Sequence, residues 1–313
     1  MHGSQDNLTP RADARLAREK LEHARQLGDP QLILAGLTEL AGSLWEAGYK
    51  DEAIQANAEA LDLAVQIDNK PAVANLLCMS GKMQISNGDS SVVSNLRKSV
   101  KLFRELNDGT QLTCALGLLG RALLRVEDID NGEQAINESI TLALKLNDHW
   151  QIAYNLSLMA EVSAARKDYR RAALLWSAAE ANYDGYDDML NRFDRRAADL
   201  QQDRVRRVLG EFEFEQMWAK GMQLLPEEAL AANPDSDIVI RRNNKGWQNE
   251  ASLTIQEIQV LQLLAQRLSD VEIAGRMKLS MEDVSTSIRD IYSKLNIRSR
   301  LAARRYALDN SIT

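Results

Sequence analysis

Nine basic and hydroxyl side chains fall within one short stretch near the end of the sequence: Lys278, Ser280, Ser285, Thr286, Ser287, Arg289, Lys294, Arg298 and Arg300. Cations and hydroxyls at this density suit the binding of backbone phosphates and of base edges in a nucleic-acid duplex. The rest of the chain offers little other chemistry. His2, His23 and His149 are scattered and match no metal-ligand spacing with Cys78 and Cys114, so no metal is expected. Gly81-Lys82 lacks both the earlier glycine and the following hydroxyl of a phosphate loop, and no nucleophile motif occurs. The acid pairs Asp187-Asp188 and Glu227-Glu228 lie where helices begin, and the helix dipole accounts for them. Neither catalytic residues nor a cofactor are expected.

Four short helices must position the polar stretch. The first reads Thr254–Gln266, opened by a Thr254-x-x-Glu257 capping box. The second reads Ser269–Met277, burying Val271 or Ile273 together with Ala274. After a tight turn at Lys278-Leu279-Ser280, the third reads Met281–Leu295, with Ser280 as its cap. The fourth runs from about Arg300 to Leu308. Two helices joined by so short a turn form a helix-turn-helix, whose second helix can enter a major groove. On that helix Val284, Ile288, Ile291 and Leu295 point inward. Met281, Ser285, Ser287, Arg289 and Tyr292 fall on the other faces.

The stretch LTIQEIQVLQLLAQRLSDVEIAGRMKLSMEDVSTSIRDIYSKLNIRSR resembles the LuxR/FixJ-type helix-turn-helix. Thr254, Glu257, Val260, Leu261, Ser269, Glu272, Ile273, Ala274, Leu279, Ser280, Val284, Ile288, Ile291, Tyr292, Lys294, Leu295 and Arg300 are among the matching positions. The resemblance implies major-groove binding to double-stranded DNA, usually as a homodimer through the fourth helix. The departures bear on mechanism. Gln256 replaces the family's Arg, Arg267 its Gly, and Asp270-Val271 its Asn-Lys. In the third helix Asp283-Val284-Ser285-Thr286-Ser287 stands where the family commonly has Thr-Val-Lys-x-His, and Asp290 where it has Asn. Acidic replacements repel phosphate, and each lost lysine removes a released counterion. The alternative expectation is therefore a non-DNA-binding interaction scaffold or antagonist carrying a degenerate helix-turn-helix.

The first half of the chain is organised by a repeat. Leu27-Gly28-Asp29, Ile67-Asp68-Asn69, Leu106-Asn107-Asp108 and Leu146-Asn147-Asp148 are similar turns spaced by 40, 39 and 40 residues. A second set falls midway, at Gly48-Tyr49, Asn87-Gly88-Asp89, Glu127-Asp128 and Lys167-Asp168. Between turns, apolar residues recur three and four apart, which is helical spacing. Each period holds two antiparallel helices that bury their apolar faces only by stacking on neighbours. Thr9 and Pro10 are expected to cap and open the first helix. Gly42, Gly81, Gly120 and Ala172 permit close crossings. Trp45, Tyr49, Tyr154, Tyr169 and Trp176 are expected to pack in the core. This pattern resembles long-period tetratricopeptide repeats, as found ahead of the DNA-binding domain in large LuxR-type regulators, and implies a platform for a protein partner or small inducer. Those regulators carry an ATP-binding domain before the repeats; its motif is not in this sequence, which reads either as a shorter regulator or as part of a larger one.

The expected fold is thus all-α. It comprises a tetratricopeptide-like repeat domain at 9–183, a helical cap at 184–232, a linker at 233–251 and a LuxR-type helix-turn-helix domain at 252–313. Only 5 prolines and 16 glycines argue against a turn-rich β design. Residues 251–313 carry 9 Lys/Arg against 7 Asp/Glu, whereas the preceding residues carry 29 against 38, so DNA affinity is expected at one end only. Two cysteines make no disulfide framework and read as core residues of a cytoplasmic protein. No apolar run approaches the ~20 residues of a membrane span, so no membrane partner is expected.

Overall fold

The structure, a computed structural model, describes residues 8–85, 90–183, 195–234, 253–266 and 268–295, and positions 300, 303, 306, 307, 310 and 312. Every regular element among them is helical. The chain divides into two compact units, Met1–Pro234 and Asp235–Thr313.

Nine helices of the first unit follow one another across short turns. They are α1 (Leu8–Leu27), α2 (Pro30–Glu46), α3 (Lys50–Gln66), α4 (Lys70–Gln84), α5 (Ser90–Leu106), α6 (Gly109–Arg125), α7 (Ile129–Leu146), α8 (His149–Ala165) and α9 (Tyr169–Asn182). Each packs on the next, and α4, α6 and α8 also touch directly as an inner row. This burial explains why α6 and α8 are covered on almost every face. Helix α1 begins at Leu8, before Thr9, so Thr9 does not cap it and Pro10 sits within its first turn.

The turns share one local chemistry. In seven of these turns a residue one or two positions past the helix end adopts positive φ, at Gly28, Gly48, Asp68, Asn107, Glu127, Asn147 and Lys167. The following N–H then reaches back five positions, as in Asn69 N to Ala64 O at 2.9 Å and Asp148 N to Ala143 O at 3.0 Å. The next acid or amide caps the following helix. Asp29, Asn69, Asp108, Asp148 and Asp168 accept from Gln31, Ala72, Gln111, Gln151 and Arg171 N–H groups at 2.8–3.1 Å. Periodic tertiary contacts fix the stacking. Ser99 Oγ donates to Ala74 O at 2.8 Å, and Ser139 Oγ donates to Thr113 O at 2.7 Å, one repeat later. Surface pairs Arg25–Glu59 and Arg104–Glu138 recur in equivalent helices at 2.6 Å but, exposed as they are, contribute at most about 1 kcal/mol each. Gly81 and Gly120 leave room for Leu96 and Ile136, which a Cβ would approach to 2.5 and 2.4 Å. At Gly42 a Cβ would meet only the end of the Met79 side chain, at an ordinary 3.9 Å. Tyr154 and Trp176 are buried, whereas Tyr49 is exposed.

Three more helices of this unit lie among the described residues: α10 (Arg195–Leu209), α11 (Glu211–Gly221) and α12 (Pro226–Ala231). Helix α11 packs along α9, burying Phe214 and Met217. Gly210, at φ 82, turns the chain into α11. Arg171 on α9 donates to the carbonyls of Leu230 and Ala232, both at 2.6 Å, closing the end of α12.

The second unit holds α13 (Ile255–Ala265), α14 (Asp270–Met277) and α15 (Met281–Lys294), followed by helical positions at 300, 303, 306 and 307. Its core comprises Val260, Leu261, Leu264, Ile273, Val284 and Ile291, with Ala303 and Ala307 against them. Ile273 and Ala274 are buried while Val271 is exposed, which settles the open choice on α14.

Candidate nucleic-acid interface

Capping chemistry sets the angle of α15. Ser269 and Glu272 cap α14 reciprocally, at 3.3 Å for Glu272 N to Ser269 Oγ and 2.7 Å for Ser269 N to Glu272 Oε2. These bonds hold the Glu272 carboxyl below its usual range. Lys278 then adopts the left-handed conformation at φ 56, and Leu279 N returns to Ala274 O at 3.0 Å. Ser280 follows as the cap of α15, accepting from Asp283 N at 3.1 Å and donating to Asp283 Oδ2 at 2.7 Å. The turn is fixed by two caps and one left-handed residue, with no insertion needed.

Helix α15 therefore has two unlike sides. Val284, Ile288, Ile291 and Leu295 enter the core. Ser285, Thr286, Arg289 and Ser293 are exposed, as is Lys278 in the turn. This outward arc also bears Glu282, Asp283 and Asp290, so carboxylates outnumber cations along it. The Asp283 carboxylate already satisfies Ser280 N at 3.2 Å, taking the place that a phosphate takes at a free helix N-terminus.

The structure redistributes several residues read from sequence as interface groups. Ser287 does not face outward. It is 8% exposed, and Gln256 Nε2 donates to its Oγ at 3.3 Å, because it falls beside the Val284–Ile291 stripe. Lys294 is paired with Glu257 at 2.7 and 2.8 Å, its side chain 37% exposed against 6% for its partner. Arg300 is turned inward onto the Asp270 carboxylate and the Leu268 carbonyl. Arg298 lies outside the described residues. Ser280 is a cap whose hydroxyl is engaged. Sequence reasoning assigned Glu257 only to the capping box and missed its ion pair, which bridges 37 positions.

Burial pushes the Glu257 carboxyl up, but the Lys294 ammonium and the Thr254 N–H and hydroxyl pull it further down, leaving it below its usual value. A carboxyl depressed on folding contributes stability above its unfolded pKa of about 4.3 and loses it as pH falls through the folded value. The unfolding midpoint of the second unit is expected to fall as pH drops below about 4, and Glu257→Gln to flatten that dependence, followed by circular dichroism.

Residues 251–307 match the family described as bacterial regulatory proteins, luxR family. The C-terminal unit carries a helix-turn-helix domain of that family. Mb0914c of Mycobacterium bovis, named an HTH-type transcriptional regulator, is 34% identical over 106 residues, 32% of this chain and 12% of its own length. The nitrate/nitrite response regulator protein NarP of Escherichia coli is 47% identical over 51 residues, 16% of this chain and 24% of its own length. These matches thus span a small part of each relative. Among solved structures, BtubC (BKLC) from P. vanneervenii is 14% identical, covering 64% of this chain and 90% of its own, at a TM-score of 0.46. No helix among the described residues is long and apolar enough to cross a membrane.

Proposed function

We propose that this chain is a DNA-binding transcription regulator and not an enzyme, docking α15 in the major groove of double-stranded DNA through Ser285, Thr286 and Arg289, with Lys278 at the turn. The observation that carries this reading is the two-sided α15: one side is clamped in the core of a luxR-family domain, and the other is free for base edges and phosphates. The regulator names of the relatives support it. Lys294 and Arg300 serve chiefly to brace the domain, and Arg298 adds a phosphate contact. Binding as a homodimer and a cytoplasmic location belong to the same proposal. So does a sensing role for the repeats. A cleft of about 540 Å³, lined among others by Glu127, Glu161, Lys167, Tyr169, Gln201 and Arg204, is of a size to take a small polar inducer or a partner's side chains.

The acidic arc sets the strength of binding. Glu282→Gln removes a repelling carboxylate from the face that meets phosphates, and is expected to tighten DNA binding about threefold to tenfold at low salt, read by fluorescence anisotropy. The proposal as a whole is tested by selecting duplexes from a random pool with the full chain. At about 0.15 M salt a selected duplex is expected to bind at least ~10³-fold tighter than its scrambled counterpart. Equal affinity for both overturns specific recognition and favours the scaffold reading, in which the exposed carboxylates keep DNA away and a related regulator is bound instead.

A further inference from the structure

The cleft of about 540 Å³ lies wholly within the first unit, where α10 packs on α8 and α9. Leu124, Ile129 and the buried Val205 give it an apolar floor. Its charges are sorted by element. Glu127, in the turn after α6, and Glu161, on α8, are the acids; Lys167, in the turn before α9, and Arg204, on α10, are the cations. The side chains of Glu127, Lys167 and Arg204 make no ion pair among the described residues. Arg166, beside Lys167, is by contrast held by Asp130 and Glu133 at 2.8 and 2.6 Å. Glu127 and Lys167 stand 40 positions apart in successive repeats, and both are left-handed, at φ 61 and 65. The corresponding turn after α2 uses Gly48 there. A left-handed charged residue is strained where glycine is not, and such strain persists where the side chain serves a purpose.

We infer that this cleft binds a short apolar peptide with free ends, a di- or tripeptide. The inference deepens the sensing role proposed above for the repeats and rests on that reading. A cleft of this volume suits a small organic ligand better than a single ion. Two carboxylates and two cations then select among ligands. An anion alone would meet Glu127 and Glu161, and a cation alone would meet Lys167 and Arg204. A sugar or other neutral ligand would cover four charges and match none, at a desolvation cost that nothing offsets. A zwitterion with an apolar body pairs both kinds. Its ammonium meets the Glu127 carboxylate, beside Glu161, and its carboxylate meets the Lys167 ammonium and the Arg204 guanidinium. Its side chains rest on Leu124, Ile129 and Val205. A single amino acid carries both charges on one carbon, whereas the acids and cations here belong to different elements. A peptide held in this way ties α10 to the turn between α6 and α7, so binding and the packing of α10 on the repeats are coupled.

The test is a calorimetric titration of the full chain, without DNA, using the tripeptide leucyl-alanyl-leucine. One molecule per chain is expected to bind saturably and to raise the thermal midpoint of the first unit. Acetylating the peptide's ammonium or amidating its carboxylate is expected to weaken binding at least about tenfold. Arg204→Gln is expected to weaken the free-ended tripeptide to a similar degree and to leave the amidated one unchanged. Glu127→Gly and Lys167→Gly are expected to weaken binding while leaving the midpoint of the unliganded chain no lower, since glycine relieves the left-handed strain. No binding, equal affinity for the blocked peptides, or an Arg204→Gln loss shared by the amidated form would each overturn the inference, and none of them bears on DNA docking. A tripeptide that binds as described yet leaves affinity for the selected duplex unaltered upholds the peptide site and overturns only the sensing role.

Discussion

Replacing Arg289 by Glu is expected to weaken binding of the full chain to its selected duplex by one to two orders of magnitude. Arg289 is the cation on the exposed arc of α15 among its described residues, since Lys294 is drawn onto Glu257 and Arg300 onto Asp270. A single arginine reaching a base or phosphate contributes about 1–3 kcal/mol. Reversing it also adds a fourth carboxylate beside Glu282, Asp283 and Asp290. The loss is expected to appear in two ways in an anisotropy titration: a higher Kd, and a salt slope shallower by about one unit. Because Arg289 is solvent-exposed and clear of the Val284–Ile291 core, the melting midpoint is expected to change little. Unaltered affinity with an unaltered slope would place the docking surface elsewhere on the chain.

The largest structural effect is expected at Gly221. A Cβ there would lie 2.0 Å from Ser177 Oγ and 2.1 Å from the Leu174 backbone carbonyl. A side chain can swing away, but the α9 backbone cannot. Gly221→Ala must therefore lift the end of α11 off α9, loosening the packing of Phe214 and Met217 and straining the Arg171 bonds to the end of α12. Overpacking of this kind costs about 1–3 kcal/mol, and contact with backbone belongs at the upper end. The thermal midpoint of the first unit is expected to fall by several degrees, with Gly42→Ala, where a Cβ meets only the end of the Met79 side chain at 3.9 Å, as the mild control. Equal midpoints for the two variants would mean that α11 does not lock onto α9 as described.

The contrast between those two glycines shows where sequence reasoning reaches and where it stops. Gly42 reads as a small residue at a helix crossing and Gly221 only as the stop of a helix, yet the chain segment packed across from each makes Gly221 the essential one. The repeat was legible because its punctuation is local. An acid or amide following a left-handed residue marks a helix start wherever it occurs, and at Asp29, Asn69, Asp108 and Asp148 it does so with near-constant spacing. The three helices of the C-terminal domain were equally legible, since Thr254, Ser269 and Ser280 each stand three residues before an acid. Ser287 was misplaced because a serine beside an apolar stripe carries no sign of its burial. The pairings Lys294–Glu257 and Arg300–Asp270 join residues 37 and 30 positions apart, beyond any local pattern.

The central claim is that the outward face of α15 meets DNA, and a photo-cross-linker at the exposed position 286 tests it most directly. In the full chain mixed with a selected duplex, irradiation is expected to join position 286 to a base of that duplex, in a yield abolished by excess unlabelled site but not by scrambled DNA. Cross-linking instead to the repeat half of the chain, or the same yield with any DNA, would contradict the account.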